Sequence, residues 1–194
     1  MKAVFASRNR HKLEQVDALL PNVELVPVDD VAPGLDLAEP FDSFEANALS
    51  KARIACEAAG LPAVADDSGL EVDALGGAPG VLSARWSGPG ATDASNNAKL
   101  VAELRALGDV DTSCRYRCVA ALVLPGGREL VAAGSCEGRV VLDGRGGRGF
   151  GYDPHVVPEG ETRTMGEIPL EEKLRFNHRA RAFRALARRM TEEL

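Results

Sequence analysis

A mixed α/β fold follows from three observations. Short apolar runs of strand length recur along the chain between longer segments whose apolar residues repeat at helical spacing. The mix persists from one end of the sequence to the other, without internal repeats or a low-complexity linker. Two runs facing each other across a "PGGR" turn add a hairpin, so the sheet is not purely parallel.

In chain order, Lys2 to Ala6 reads as a strand, and Lys12 to Leu20 as a helix on the spacing of Leu13, Val16, Leu19 and Leu20. Val23 to Val28 is a second strand. Phe44 to Ala59 is a helix ended by Gly60, which supplies the left-handed residue a helix terminus favours. A short strand, Ala63 to Ala65, is followed by a turn and then a helix from Ala94 to Leu107. Strands follow at Tyr116 to Leu124, Glu129 to Glu137 and Gly138 to Leu142, then two helical pieces from Leu170 onward. Ala180, Phe183, Ala187 and Met190 stack on one face of the last.

The 194 residues suffice for one sizeable core and are read as a single domain, 1–194. A net charge of -6 argues against a polyanion-binding surface, which needs many Lys and Arg contacts to phosphates. A small anion in one local pocket stays open. Only a short apolar run precedes Ser7 and no later run approaches membrane-spanning length, so a cytoplasmic protein is expected. Cys114 and Cys118 lie on one strand-like run, their backbones roughly 13 Å apart, too far for one disulfide or one tetrahedral metal. Reduced structural thiols are expected there and at Cys56 and Cys136.

Five stretches carry chemistry. "SRNRHK", Ser7 to Lys12, joins the first strand to the first helix, where unpaired backbone N–H groups make an anion site that Asn9 and Lys12 would reinforce. The plainer alternative is a Ser or Asn helix cap followed by solvated cations. The loop lacks the glycines of a Walker A or dinucleotide fingerprint. In "DSFEANALSKA", Asp42 and Glu45 have capping-box spacing, and Lys51 reads as a surface lysine when taken alone. In "AVADDSGLEV", an apolar strand delivers Asp66, Asp67 and Ser68 into a turn at its carboxyl end, where open α/β sheets bind ligands. Adjacent acids repel, which suggests a shared metal ion or proton and a functional role for Asp67.

"GFGYDP" surrounds Phe150 with glycines that let its ring stack on a flat ligand. In "EEKLRFNHRARA", Asn177 is a good cap that sets His178 and Arg179 in the first turn of the last helix; a basic solvated helix is the alternative. Together these stretches hold phosphate donors, metal-binding acids, a stacking ring and a polar base reader, which is the inventory a nucleoside triphosphate needs.

With "SRNRHK", "SFEANALSKA", "ADDSGLEVDALGGAPGVLSARWSG", "GFGYDP" and "EEKLRFNHR" in this order, the whole chain resembles the inosine triphosphate pyrophosphatase family, house-cleaning hydrolases of dITP, ITP and XTP. The resemblance implies a long twisted mixed sheet with flanking helices, two lobes around a central cleft, and a homodimer. It implies Mg²⁺ and attack of water on the α-phosphorus, giving the nucleoside monophosphate and pyrophosphate. It makes Asp67 the general base and, with Glu45, a metal ligand, with Asp66 near them. Ser7, Arg8, Asn9, Arg10, His11 and Lys12 would hold the triphosphate, and Lys51 and Ser68 would touch phosphates. Phe150, Gly151, Tyr152 and Asp153 would hold the base and sugar, Lys173 would reach the substrate, and His178 with Arg179 would read the purine edge.

These roles agree with phosphoryl-transfer chemistry, which is mostly positioning and charge neutralisation. The 6-oxo group is an acceptor where adenine has a donor, so donors aimed at it would stand unpaired with dATP. Two departures from the family pattern are Asn177 in place of serine, also a strong cap, and His155 after "GYDP". Trp86 stands where tyrosine is also common. A catalytically silent nucleotide sensor and a pyrophosphatase for other modified nucleotides are the competing readings; a partner nucleic-acid polymer or membrane is not expected.

Overall fold

The structure is a computed structural model that describes residues 1–108 and 111–194. Its strands form one mixed six-stranded sheet in the order β2-β1-β3-β4-β5-β6. They are β1 (Lys2–Phe5), β2 (Glu24–Pro27), β3 (Ala63–Val72), β4 (Thr112–Val123), β5 (Glu129–Val140) and β6 (Val156–Pro158). The helices are α1 (Arg10–Leu19), α2 (Val28–Val31), α3 (Phe44–Ala59), α4 (Asp93–Leu107), α5 (Leu170–Phe176) and α6 (His178–Glu193). β1 runs parallel to β2, with Lys2 opposite Glu24, and parallel to β3, with Phe5 opposite Val64. β5 and β6 are antiparallel, pairing Val140 with Val156.

The chain divides into two compact units, each with its own core. Unit 1 comprises residues 1–67, 118–134 and 178–194; unit 2 comprises residues 68–117 and 135–177. In unit 1, Phe5, Val16, Val64, Leu122, Leu130, Phe183 and Leu186 form the core, and Ala187 and Met190 pack against it. The apolar face read from the last helix is thus the face α6 buries. In unit 2, Leu70, Leu100, Leu104, Tyr116, Val140, Tyr152 and Met165 do the same.

Local chemistry explains most boundaries. Asn9 caps α1, its Oδ1 accepting from the N–H groups of His11 (3.0 Å) and Lys12 (3.2 Å). α3 is capped by Ser43, which accepts from the Ala46 N–H at 3.2 Å, so the capping residue is Ser43 and not Asp42. Gly60 ends α3 at φ +63, the left-handed conformation that costs other residues most. Thr92 and Ser95 close a capping box on α4.

Two strand expectations are corrected. β3 does not stop at Ala65: Leu70 and Val72 continue its buried pattern, so Asp66, Asp67 and Ser68 lie within the strand rather than in a turn. The two strands expected at Glu129 to Glu137 and Gly138 to Leu142 are one strand, β5, because Gly138 sits in ladder register opposite Pro158. All four cysteines are buried thiols, and Cys114 and Cys118 stand four residues apart on β4.

Candidate active site

Asp66 and Asp67 lie on the part of β3 that belongs to unit 1, and their geometry follows from the strand. Successive residues of a strand point to opposite faces, so the two carboxylates do not share one location. Asp66 turns toward α1 and α6: its Oδ2 lies 3.1 Å from Lys12 Nζ and accepts from Arg179 Nη2 at 3.2 Å and Nε at 3.3 Å. Asp67 turns toward α3, where its Oδ2 accepts from Asn47 Nδ2 at 3.1 Å and its Oδ1 stands 3.7 Å from Lys51 Nζ. The repulsion expected between adjacent acids is thereby relieved by pleating and by the cations Lys12, Arg179 and Lys51 around the pair.

Environment drives the two acids apart in proton affinity. Complete burial alone would raise Asp66, but Lys12, Arg179 and Lys51 outweigh it and hold the carboxyl well below the usual range. Asp67 is pushed above the usual range, chiefly by burial and further by Glu39, against the pull of Lys51 and Lys12. The two adjacent carboxyls are thus driven in opposite directions, Asp66 toward the anion and Asp67 toward holding a proton.

Lys51 is not a surface lysine. It is 4% exposed, donates to the Asp66 main-chain oxygen at 2.8 Å, and pairs with Glu39. Burial would lower its pKa, yet Asp67, Glu39 and Asp66 together raise it, keeping the ammonium charged. Arg179, 1% exposed, is held on its other edge by Gln15, whose Oε1 accepts from Nη1 at 2.9 Å. His178 opens α6 beside it and is 9% exposed. Gly134 of β5 permits this approach: a Cβ there would collide with the His178 carbonyl.

Other expected residues of unit 1 are arranged less centrally. Ser7 Oγ accepts from the Asn9 N–H at 3.2 Å, so Ser7 and Asn9 shape the turn. Arg8 is engaged at the surface by Asp29 (2.9 Å) and the Leu35 carbonyl (2.7 Å). Arg10 and His11 are exposed at the start of α1, and Glu45 is exposed in the first turn of α3.

Unit 2 carries the remaining candidates. Ser68 follows Asp67 along β3 and is half-buried. Lys173, 4% exposed, lies 2.7 Å from Asp153 Oδ2, while the hydroxyl of Tyr116 donates to Asp153 Oδ1 at 3.1 Å. Gly149 makes room for this pair; a Cβ there would strike the Asp153 carboxylate. Tyr152 is 3% exposed, donates to the Ser83 carbonyl at 2.8 Å and meets the Trp86 ring edge-on at 6.5 Å between centroids, so it is a core ring that anchors the loop. Phe150 is half-buried. His155 Nδ1 lies 2.8 Å from the Val141 carbonyl, which makes it a tether of the same loop.

Sequence reasoning missed Gln15, Glu39, Asn47 and Tyr116. Two carried a signal: Gln15 stands three residues after Lys12 and Asn47 four before Lys51, spacings that share a helix face. Glu39 and Tyr116 carried none.

The donor set suits a hard divalent cation, since carboxylate oxygens are the ligands such ions prefer. Asp66 Oδ1 is buried and has no hydrogen-bond partner among the described residues. No group of three or more His, Cys, Asp and Glu side chains among the described residues could by itself enclose a metal. A divalent cation held here would be bound through one or two carboxylates and completed by water and substrate phosphates. No helix among the described residues is long and apolar enough to cross a membrane.

A family model described as the Ham1 family matches residues 3–189. The protein of Nocardia farcinica named dITP/XTP pyrophosphatase is 46% identical over 190 residues, covering 95% of this chain and 92% of its own. The protein of the same name from Mycolicibacterium paratuberculosis is 47% identical over 189 residues, covering 94% and 92%. The solved structure of a HAM1 protein from Coxiella burnetii superposes with a TM-score of 0.90 at 38% identity, covering 99% of each chain.

Proposed function

This chain belongs to the Ham1 family, and we propose that it hydrolyses non-canonical purine nucleoside triphosphates (dITP, ITP and XTP) to the nucleoside monophosphate and pyrophosphate. The observation that carries this reading is the divided Asp66–Asp67 pair. One carboxylate is locked as an anion under Lys12 and Arg179, and its neighbour, raised in proton affinity, stands beside Lys51 and Asn47. The names of the relatives support the substrate class.

In this reading Asp67 accepts the proton of a water molecule whose oxygen bonds to the α-phosphorus. The bond from the α-phosphorus to the bridging oxygen breaks, and pyrophosphate leaves. Lys12 and Lys51 carry the positive charge that faces phosphates, with the turn from Ser7 to His11 and Ser68 as further donors. Asp67 and Glu45 would hold Mg²⁺, which when bound neutralises phosphate charge and polarises the phosphoryl oxygens. Phe150 to Asp153 and Lys173 serve the base and sugar side. His178 and Arg179 serve the 6-oxo edge, Arg179 being aimed by Asp66 and Gln15. A cytoplasmic homodimer completes the proposal, and light scattering on the purified protein tests the dimer.

The deciding experiment is to incubate the protein with Mg²⁺ and, separately, dITP, XTP, dGTP and dATP, assaying pyrophosphate and orthophosphate. Pyrophosphate from dITP and XTP alone is expected. Tight nucleotide binding without product would replace the enzyme with a sensor, and orthophosphate as first product would move the attacked phosphorus.

A further inference from the structure

The loop that carries Phe150 is gripped by a helix to which no role in the reaction has been given. In unit 2, Asp93 Oδ2 accepts from the Gly151 N–H at 2.7 Å, and Asn97 Nδ2 donates to the Gly151 carbonyl at 2.9 Å. Asp93 and Asn97 stand four residues apart in α4 and so share one face of it. The Gly151 N–H belongs to the peptide plane that also holds the Phe150 carbonyl, and the Gly151 carbonyl belongs to the next plane. The two contacts therefore fix both peptide planes flanking Gly151, which has φ +63 and stands between Phe150 and the buried Tyr152.

The platform is itself rigid. Asn96 donates to the Ser83 and Ala84 carbonyls at 3.2 Å each and accepts from the Ser87 N–H at 2.8 Å. Lys99 donates to the Trp86 carbonyl at 2.9 Å. The negative charge of Asp93 sits in the first turn of α4, where the helix dipole favours it. Each neighbouring loop residue has a separate anchor: Tyr152 on Ser83, and Asp153 on Tyr116 and Lys173. The backbone on the C-terminal side of Phe150 is thus held at three successive residues, Gly151, Tyr152 and Asp153.

We infer that Asp93 and Asn97 are positioning residues that set the orientation of Phe150, and through it the affinity for the purine base but not for the phosphates. The inference rests on the proposed function, because that reading gives Phe150 the base. It requires base-dependent and phosphate-dependent binding to separate on substitution, which a merely structural pair of residues would not cause.

The test is calorimetric titration of wild type, Asp93→Ala, Asp93→Asn and Asn97→Ala with inosine monophosphate and, separately, with inorganic tripolyphosphate, alongside thermal melts. Each alanine variant is expected to bind inosine monophosphate about tenfold more weakly, the loss of roughly one good hydrogen bond. Tripolyphosphate affinity stays within about twofold, and Asp93→Asn, which keeps an acceptor for the Gly151 N–H, recovers most of the loss. Asp93 is exposed, so its variants are expected to melt near wild type. Unchanged monophosphate affinity in both alanine variants, or equal losses for both probes, overturns the inference while leaving the proposed function standing. A wild-type protein that binds neither probe overturns the inference, while pyrophosphate release from dITP remains the test of the proposed function.

Discussion

Arg179 and Asp66 form a buried ion pair, Nη2 to Oδ2 at 3.2 Å, with both side chains at most 2% exposed. The pair joins β3 to the first turn of α6, and Lys12 of α1 shares the same carboxylate oxygen at 3.1 Å. Three elements of unit 1 thus converge on one atom. Breaking such a pair is costly because the surviving charges stay buried without their partner.

Asp66→Ala is therefore expected to destabilise the fold by about 3–5 kcal/mol. Urea denaturation of the two proteins measures the difference. A midpoint equal to wild type would show that Lys12 and Arg179 find other partners.

Asp67→Asn is expected to abolish pyrophosphate release while keeping nucleotide affinity within roughly tenfold, because the amide keeps the shape and loses the base. Binding and turnover measured on the same preparation separate the two. Undiminished turnover would remove Asp67 from the reaction.

Gly134→Ala would force its Cβ into the His178 carbonyl and the α6 backbone around Ala182. Overpacking of this kind costs about 1–3 kcal/mol, and here it also shifts the turn that aims Arg179. We expect a lower melting temperature together with a raised KM for dITP. A drop in stability with KM unchanged would mean the helix start accommodates the methyl without moving the guanidinium.

The thiols give a pH dependence with a definite sign. Burial, with the nearby Cys136 and Asp73, pushes the Cys114 thiol up to about 12. An unfolded chain releases that proton near the ordinary thiol value of about 8.5. The contribution is thus complete below about 8.5 and is lost as pH rises from there toward about 12. Between about pH 8 and about pH 10, melting temperature should fall less in Cys114→Ala than in wild type; parallel curves would assign the alkaline loss to other groups.

How much of this was legible differs by element, for physical reasons. The helix Phe44–Ala59 and its Gly60 stop were readable because periodicity and the left-handed preference of glycine are local properties. β3 was cut short in the reading because a doubled acid imitates a turn, and nothing local reveals that cations elsewhere in the chain stabilise it within a strand. The Ser43 cap was misplaced by one residue because Asp42 and Ser43 are both good capping types. Lys51 read as a surface lysine because its burial depends on Glu39 and on the Asp66 carbonyl, which no helical spacing announces.

The sequence by itself determined the mixed α/β class, the order of motifs and the residue types a nucleoside triphosphate requires, since these depend on short-range patterning and side-chain chemistry. The tertiary structure alone decided which way each acid faces and what holds each cation. Asp66 meets Arg179 across 113 residues, and Arg179 meets Gln15 across 164. Contacts at such separations are selected by the packing of whole helices on a pleated sheet, where a shift of one strand residue exchanges Asp66, paired with Lys12 and Arg179, for Asp67, beside Asn47 and Lys51.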